Sequence, residues 1–296
     1  MIRRTIEISR EAAHLTVKHR QLLLKRDGAT VGSCPCEDVG VVLVDHPGTT
    51  YSHAALSSLA DSGAALVICG RNHLPNAILL PLANHSQVVW RVNNQVDASK
   101  PLRKQLWKQL VQAKIRGQAA IVPTTLPTHA KLKDMARQVR SGDPNNLEAQ
   151  AARAYWSCYL PEESFRRDAD SEGLNSLLNY GYAVMRAAVA RVLVAAGLIP
   201  SIGLHHSNRS NSFCLADDMM EPLRPIVDDR ARELYRQGYE DLHQEAKAGL
   251  LKLLSEPVMM SGERGPLMVN LHRMTASLVR CYQGSSKKLE IPTALY

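Results

Sequence analysis

The sequence has 296 residues, 45% of them hydrophobic, and carries a formal net charge of +8 with a pI of about 9.2. That length accommodates one large domain or two, each with its own core. No charge-free apolar run reaches the roughly 18 residues of a membrane span, and the charged N-terminus lacks a signal peptide's apolar core. We therefore expect a cytoplasmic protein. The six cysteines do not form a disulfide framework in so long a chain, and the basic balance permits nucleic acid as a partner.

The first part of the sequence, residues 1–96, is rich in short runs that suit strands. Asp27-Gly28 follows the third run and is a hairpin signal. Helical spacing over 52–62, closed by Gly63, predicts one helix. We predict that residues 1–96 form a β-rich domain with a packing or dimerising role. The runs predicted to be strands lie at residues 4–8, 14–18, 21–26, 39–44, 64–69 and 77–80.

From residue 98 onward the periodicity is helical. Pro123 and Pro127 divide the first helical segment into two helices. Residues 172–196 are apolar on nearly every face, which predicts a central helix. Further helices are predicted at 230–254 and 262–282. The sequence therefore predicts an α+β fold, with an N-terminal β-rich domain at 1–96 and a C-terminal all-α-helical domain at 97–296.

Basic residues are concentrated at the start of the helical part. Residues 100–140 contain ten Lys or Arg and one acid, a local net charge of +9 that exceeds the net charge of the whole chain. A charged helix face is usually only solvated, but so one-sided an excess favours a phosphate-binding surface. We predict that Lys104 and Lys108 contact DNA.

Residues 203–228 hold the densest group of candidate ligands. His205 and His206 are adjacent, and Asp218 and Glu221 are three residues apart, so the two acids share one face if they lie on a helix. One imidazole with carboxylate oxygens suits Mg²⁺ or Mn²⁺ better than structural Zn²⁺. The alternative is that Asp217 caps the helix, its neighbouring acids lie in the first turn, and the histidines are ordinary loop residues.

A third carboxylate lies upstream of this stretch. Asp143 followed by Pro144 is a plausible helix start, with Asp143 as the N-cap. Glu148 then falls in the second turn, next to Leu147 and close to an apolar face. A lone Glu among alanines is usually exposed, whereas a Glu at the boundary of a core needs a partner, and a metal ion is one candidate.

Three long blocks in this order resemble one known family. They are NLEAQAARAYW around Glu148, LNYGYAVMRAAVAR from Leu178, and GLHHSNRSNSFCLADDMMEPLRPIVD from Gly203. The stretch CGRNHLPNAILLPL at 69–82 is similar to the β domain of the same family. The family is the CRISPR-associated integrases, the DNA-integrating subunits of CRISPR adaptation, in their type II form, and the resemblance covers essentially the whole chain.

The resemblance implies a site on three separated blocks. Glu148, His206 and Glu221 match the residues that bind one divalent metal, Mg²⁺ or Mn²⁺, and carry the catalysis; the second histidine of the adjacent pair is the one in register. Asp218 matches an acid found beside the metal site in some members. Arg209 matches a basic position near the DNA phosphate.

The resemblance also implies a reaction and partners. The 3′-hydroxyl of a short captured duplex attacks a phosphodiester at the leader–repeat junction of a CRISPR array, a transesterification that inserts a new spacer. The chain is expected to form a homodimer mainly through its β domains. A small ferredoxin-like second adaptation subunit is expected to bridge two such dimers. Two alternatives remain open: a metal-dependent nuclease of DNA branches or ends that does not integrate, and a non-enzymatic DNA-binding scaffold in which the acids are caps.

Overall fold

The described residues up to Leu79 form two four-stranded sheets, one α-helix and a short 3₁₀ helix at Cys36–Asp38. The computed structural model describes residues 3–71, 73–82, 85–160, 165–168 and 171–295. The N-terminal elements are β1 Arg4–Ile8, β2 His14–Lys18, β3 Gln21–Arg26, β4 Ala29–Pro35, β5 Val39–Val44, β6 Thr50–Tyr51, α1 His53–Asp61, β7 Ala65–Cys69 and β8 Pro75–Leu79. All six runs that the sequence predicts to be strands contain strands, and the predicted helix is α1.

The two sheets differ in how their strands pair. The first has the order β1-β5-β7-β8, with β1, β5 and β7 parallel and β8 antiparallel. The second has the order β4-β3-β2-β6. The turn between β3 and β4 is Asp27-Gly28, with φ values of 48° and 80°. Two successive positive φ angles are those of a type I′ turn, so the predicted hairpin is confirmed.

Strand β5 is apolar along its whole length because both of its faces are covered. Val42 belongs to the core between the two sheets and α1, whereas Val41 and Leu43 belong to the core of the helical part. Successive side chains on a strand point to opposite faces. The continuous run VGVVLV therefore reflects a sheet that is buried on both sides.

The rest of the chain is mainly helical. Its elements are α2 Val88–Val96, α3 Lys100–Ile121, α4 Pro127–Gln138, α5 Leu147–Tyr159, α6 Leu174–Ala195, α7 Cys214–Met220, a 3₁₀ turn Glu221–Leu223, α8 Arg224–Arg236, α9 Gln244–Lys252, β9 Pro257–Met260, β10 Glu263–Pro266 and α10 Leu267–Tyr282. The predicted break between Pro123 and Pro127 is confirmed. The α+β class is confirmed, and the division at residue 96 stays a prediction.

Two details of the C-terminal part differ from the sequence prediction. The helix predicted over 230–254 is two helices, α8 and α9, separated at Gly238, whose φ is 93°. The helix predicted from residue 262 begins at Leu267, because the preceding residues form the β9–β10 hairpin. Ser261 and Gly262 turn that hairpin with φ angles of 51° and 83°. This part of the chain is therefore not all-α.

Helix α6 is the centre of the helical core. It has the length and hydropathy of a membrane span, but 78% of its most apolar window is buried inside the protein. Gly181 allows close approach of α8, since a Cβ there would lie 2.4 Å from Val227 Cγ1. The apolar character that marks α6 in the sequence is thus explained by helices and a sheet packed around it.

A buried ion pair joins the sheet to the helices. Asp45 follows β5, and its carboxylate contacts Lys247 Nζ on α9 and, at 3.0 Å, His73 Nδ1. The side chains of Asp45 and Lys247 are 1% and 6% exposed. Removing one partner of such a pair leaves an uncompensated buried charge. The pair therefore fixes α9 against the end of β5.

A second buried acid fixes α8 against α5 and α6. The Tyr182 hydroxyl donates to the Asp228 carboxylate, and the Tyr159 hydroxyl donates to the Asp228 carbonyl at 2.5 Å. Burial raises the pKa of Asp228 to about 7, although Tyr182 and Arg224 act to lower it. These contacts set the positions of the helices that carry the candidate ligands.

The stability of the fold should therefore respond to pH through Asp228. The folded protein holds the Asp228 proton to about pH 7, whereas an ordinary Asp releases it near 3.8. Between these values the folded state binds more protons, so its stability falls as pH rises. Asp228→Asn removes this titration. The stability of the variant relative to the wild type should therefore increase between pH 4 and 8. The gain should be on the order of a few kcal/mol, since one pKa unit corresponds to about 1.36 kcal/mol.

Urea unfolding at several pH values measures this difference. Asp229→Asn, which makes the same charge change at a side chain that is 45% exposed, is the control and should leave the pH profile close to the wild type. A stability difference between Asp228→Asn and the wild type that does not change with pH would contradict the assignment.

Candidate active site

Helix α3 forms the floor of the candidate site. Its N-terminus is capped by Ser99, whose side chain accepts the Leu102 N–H at 3.3 Å, and Pro101 lies in the first turn. Trp107 and Lys114, two turns apart, are both buried on one side of this helix. Trp107 contacts the loop that carries His205 and His206, the histidine loop, and Lys114 contacts the two candidate glutamates. A single helix thus supports both halves of the site.

Glu148 lies in the first turn of α5, one turn earlier than the sequence predicts. The helix begins at Leu147, after Asn146 in the left-handed region with φ of 51°. Asp143 still caps the helix, but from outside it: its carboxylate accepts the N–H groups of Leu147 at 3.0 Å and Glu148 at 2.9 Å. Pro144 is therefore not the first helical residue. The preceding turn is held to α3, because the Gly142 N–H donates to the Lys104 carbonyl at 2.9 Å.

Glu221 lies in the 3₁₀ turn between α7 and α8 and is almost fully buried. Arg224 Nε donates to its Oε1 at 2.8 Å, and Lys114 Nζ donates to its Oε2 at 2.5 Å. Burial alone would raise the pKa of Glu221, but Arg224 and Lys114 lower it to about 2. Arg224 is itself held over the Tyr182 ring, 4.6 Å from its centroid. Glu221 is therefore an ionised carboxylate in a fixed orientation.

Lys114 connects the two glutamates that the sequence predicts to be ligands. Its Nζ contacts Glu148 Oε1 as well as Glu221 Oε2, although these acids are 73 residues apart in the chain. Burial acts to lower the pKa of Lys114, but Glu221 and Glu148 raise it above its ordinary value. The structure therefore brings Glu148 and Glu221 to one point, where they bind one positive charge.

This arrangement fits a cation between the two carboxylates. The Lys114 ammonium stands there, and two carboxylate oxygens are a donor set that Mg²⁺ and Mn²⁺ accept. Over the described part of the chain, no three His, Cys, Asp or Glu side chains are close enough together to hold a metal. His206 is thus outside the pair of glutamates, although Glu221 acts on it electrostatically and contributes to raising its pKa.

Asp218 organises the histidine loop. Its buried carboxylate accepts three successive backbone N–H groups, from Leu204 at 2.6 Å, His205 at 2.9 Å and His206 at 3.2 Å. Gly203 makes the approach possible, since a Cβ there would lie 2.3 Å from the His206 carbonyl and 2.9 Å from Asp218 Oδ2. Asp218 is thus directed to the loop, whereas Glu221, three residues later, contacts Lys114 and Arg224.

His206 is oriented by the same acid. Its Nδ1 lies 2.6 Å from Asp218 Oδ1, which leaves Nε2 as the ring nitrogen that faces away from Asp218. This hydrogen bond raises the pKa of His206, against the opposite effect of burial. A carboxylate on one ring nitrogen is the arrangement that fixes the orientation of metal-binding histidines.

Trp107 separates the roles of the two histidines. The His205 ring stacks on it at a centroid distance of 4.3 Å and an interplanar angle of 2°. The His206 ring meets it edge-on at 5.6 Å. His205 is therefore a packing partner of α3, whereas His206 is held by Asp218. Stacking gives His205 a structural role that its sequence position does not reveal.

A cavity of about 310 Å³ opens beside the two histidines. Three of its lining residues are basic and come from α3: Lys100, Arg103 and Lys104. Trp107 and His206 line it as well. Basic groups next to a reactive site suit the phosphates of a nucleic acid strand. Among the predicted DNA-binding residues, Lys104 therefore lies beside the candidate ligands.

The remaining predicted residues are less closely associated with the glutamates. Arg209 is exposed on the polar loop after His206, and Lys108 is partly buried one turn along α3 from Lys104. The local charge of +9 is not entirely a surface charge, because Lys114 is buried between acids. Arg103 donates to the carbonyls of Gln95 and Val96. The solvated basic face is therefore smaller than the number of Lys and Arg residues in 100–140 indicates.

The alternative interpretation of the acids as caps is wrong for α7. That helix begins at Cys214, and its N-cap, Phe213, makes no side-chain capping bond. Asp217 instead binds Arg186 with both oxygens, at 2.6 and 2.8 Å, and accepts from Asn211. These contacts tie the loop and α7 to α6.

Sequence reasoning missed Lys114 and Trp107 as site residues. The signal was present: Lys114 continues the buried series of Leu106, Leu110 and Val111 at helical spacing. A lysine on the buried face of a helix needs an acidic partner. The net charge of residues 100–140 includes Lys114 but does not show that it lies on the buried face of α3.

Comparisons with known proteins agree with the resemblance seen in the sequence. Residues 6–252 match the sequence profile of the family described as CRISPR associated protein Cas1. The CRISPR-associated endonuclease Cas1 of Neisseria meningitidis serogroup C is 36% identical over 286 residues, covering 95% of this chain and 93% of that protein.

Solved structures share the fold over nearly the whole chain. A casposase bound to its integration product superposes with a TM-score of 0.79 at 17% identity, covering 98% of this chain and 92% of its own. A chain of a Cas6-RT-Cas1–Cas2 complex superposes with a TM-score of 0.78 at 18% identity, covering 97% of this chain and 35% of its own. At these identities the likeness establishes the fold. Because the family profile spans most of the sequence and a relative is 36% identical along nearly all of it, the chain belongs to the Cas1 family of CRISPR-associated proteins.

Proposed function

We propose that this Cas1-family protein is a metal-dependent DNA integrase and endonuclease of CRISPR adaptation, which inserts short duplex DNA into the CRISPR array. The observation that supports this most directly is the convergence of Glu148 and Glu221 on one cation, beside a basic cavity that His206 lines. The family relationship supports the class of reaction, and the fold of the casposase supports integration over simple cleavage.

Glu148, Glu221 and the Nε2 atom of His206 are the groups we expect to hold Mg²⁺ or Mn²⁺. Such an ion lowers the pKa of an attacking hydroxyl and stabilises charge on a phosphate. The protein supplies the fixed ligands. Arg224 holds one oxygen of Glu221, and Asp218 sets the ring orientation of His206.

The reaction we propose is a transesterification. The 3′-hydroxyl of the captured duplex loses its proton and forms a bond to the phosphorus of a repeat phosphodiester. The bond from that phosphorus to the 3′-oxygen of the array strand breaks, and this oxygen takes up a proton. One phosphodiester replaces another, so no external energy source is required. Lys100, Arg103 and Lys104 line the cavity where a strand's phosphates would be held.

The partners we propose are double-stranded DNA, a second copy of the chain and a small ferredoxin-like subunit. The fold match to a chain of a Cas1–Cas2 complex supports the last of these. We place the protein in the cytoplasm, where the array and incoming DNA are accessible. The β region would form the dimer, since it carries a net charge of only +2 and none of the proposed ligands.

The candidate ligands are tested by single substitutions. Glu148→Gln, His206→Ala and Glu221→Gln should each lower strand transfer by about a hundredfold or more, the scale on which one electrostatic contact to the reacting charge is lost. The measurement is integration of a labelled short duplex into a supercoiled plasmid carrying a CRISPR array, with the second adaptation subunit present, in Mg²⁺ or Mn²⁺.

His205→Ala is the matched control for the histidine. It removes the ring that stacks on Trp107, and its effect should be smaller than that of His206→Ala. Near wild-type integration by any of the three ligand variants would refute the proposed site. Equal losses from the two histidine variants would refute the choice of His206, and cutting without joining by the wild type would favour the nuclease alternative.

The role of the basic face of α3 in DNA binding is tested by the salt dependence of the affinity. Lys104→Glu with Lys108→Glu should weaken duplex binding without changing sequence preference. The slope of log affinity against log salt should flatten by about one unit per lost phosphate contact. Lys18→Glu with Lys25→Glu makes the same charge change in the second sheet and should leave the slope unchanged. Equal effects of the two pairs would show that the α3 face has no special role.

The dimer is tested through the edges of the two sheets. Val31 on the edge strand β4 is 53% exposed, and Leu79 on the edge strand β8 is 38% exposed. Val31→Glu and Leu79→Glu should shift the chain toward the monomer in sedimentation experiments. The monomer should lose full-site integration while some half-site attack remains, because two attacks need two sites at a fixed separation. Full-site integration by a proven monomer would contradict the proposed division of labour.

A further inference from the structure

We propose that Lys114 is a positioning residue that holds Glu148 and Glu221 together in the metal-free protein and competes with the divalent ion for their oxygens. The inference rests on the proposed function, because it takes these two glutamates as metal ligands. It adds a residue of helix α3 to the site, and it assigns to that residue control over how tightly the ion binds.

The three groups come from three separate elements. Lys114 lies on α3, Glu148 on α5, and Glu221 in the turn before α8. The Lys114 side chain is 9% exposed, and Glu221 is 7% exposed. The Glu148 side chain is 26% exposed, and two carboxylates that approach this closely repel each other unless a positive charge lies between them. The ammonium supplies that charge, and α3 supplies its position.

The hydrogen bonds show why a metal ion and Lys114 compete. Of the two Glu221 oxygens, Oε1 accepts from Arg224 and Oε2 accepts from Lys114. The second oxygen is the one that Arg224 leaves for an ion, and Lys114 contacts it at 2.5 Å. Glu148 Oε1 is contacted by the same ammonium. An ion bound to both oxygens would therefore lie where Lys114 Nζ lies.

A divalent ion and an ammonium cannot share that position. Charges of like sign a few ångströms apart repel strongly at a buried site. The lysine side chain has a flexible four-carbon stem, so its head can move away while its backbone stays in α3. Metal binding must therefore displace the ammonium, and the lost contacts weaken metal affinity. In return, the carboxylates are already aligned when the ion arrives.

The test compares two substitutions of opposite expected sign. Lys114→Met keeps the length of the side chain and removes its charge, so Mn²⁺ should bind at least tenfold more tightly. Lys114→Arg keeps the charge and adds bidentate contacts to carboxylates, so Mn²⁺ should bind at least tenfold more weakly. Lys252→Met makes the same change at an exposed side chain in the last turn of α9 and should stay within about twofold of the wild type. Calorimetric titration of the whole protein with Mn²⁺ measures all three without any DNA.

Thermal unfolding provides a second readout. In EDTA, Lys114→Met should unfold at a lower temperature than the wild type, because the two carboxylates then repel each other. Its midpoint should rise more on addition of Mn²⁺ than that of the wild type. If Lys114→Met does not fold in EDTA, the weaker binding expected of Lys114→Arg still tests the proposal.

The outcomes separate this inference from the proposed function. Unchanged or weaker Mn²⁺ binding by Lys114→Met, or unchanged binding by Lys114→Arg, overturns the role of Lys114 while the metal site stands. A wild-type protein that binds no Mn²⁺, or whose binding survives Glu148→Gln and Glu221→Gln, overturns the metal site and with it this inference.

Discussion

Two carboxylates and one ammonium form the interaction on which the rest of the site depends. Glu148 and Glu221 reach the same point from α5 and from the turn before α8, and Lys114 of α3 holds them there. Bringing a buried acid and a half-buried acid together is unfavourable without a cation. The helical core must therefore fix three elements at once, and the contacts of Asp228 with Tyr159 and Tyr182 fix α5, α6 and α8 against one another.

The histidine loop is held by one buried carboxylate that accepts several hydrogen bonds. Asp218 accepts three backbone N–H groups and one imidazole nitrogen, so the loop conformation and the His206 orientation are set together. Trp107 supports the loop from α3 through its stack with His205. Helix α3 thus links the loop to the glutamates, and its basic N-terminal half extends from the site into the cavity.

Local patterns in the sequence were sufficient for most of the fold. The run VGVVLV, the Asp27-Gly28 turn and the apolar helix α6 each have a physical signature that a few residues carry, and each is confirmed. The family resemblance is confirmed as well, whereas the roles of Glu148, His206 and Glu221 stay predictions. What the sequence did not reveal depends on tertiary contacts: the burial of Lys114 between acids, the stack of His205 on Trp107, and the cap that Asp143 provides from outside α5. Charge counts and residue spacing do not reveal such contacts, because they do not show which helices, strands and loops pack against one another.

We propose that Glu148 and Glu221 form one cation site to which His206 is adjacent. Anomalous diffraction from crystals soaked in Mn²⁺ tests it most directly. We expect one strong peak within coordination distance of both glutamates and of His206 Nε2, with the Lys114 ammonium displaced from Glu221 Oε2. A peak at another position, or a protein in which Lys114 keeps both carboxylates at saturating Mn²⁺, would contradict it.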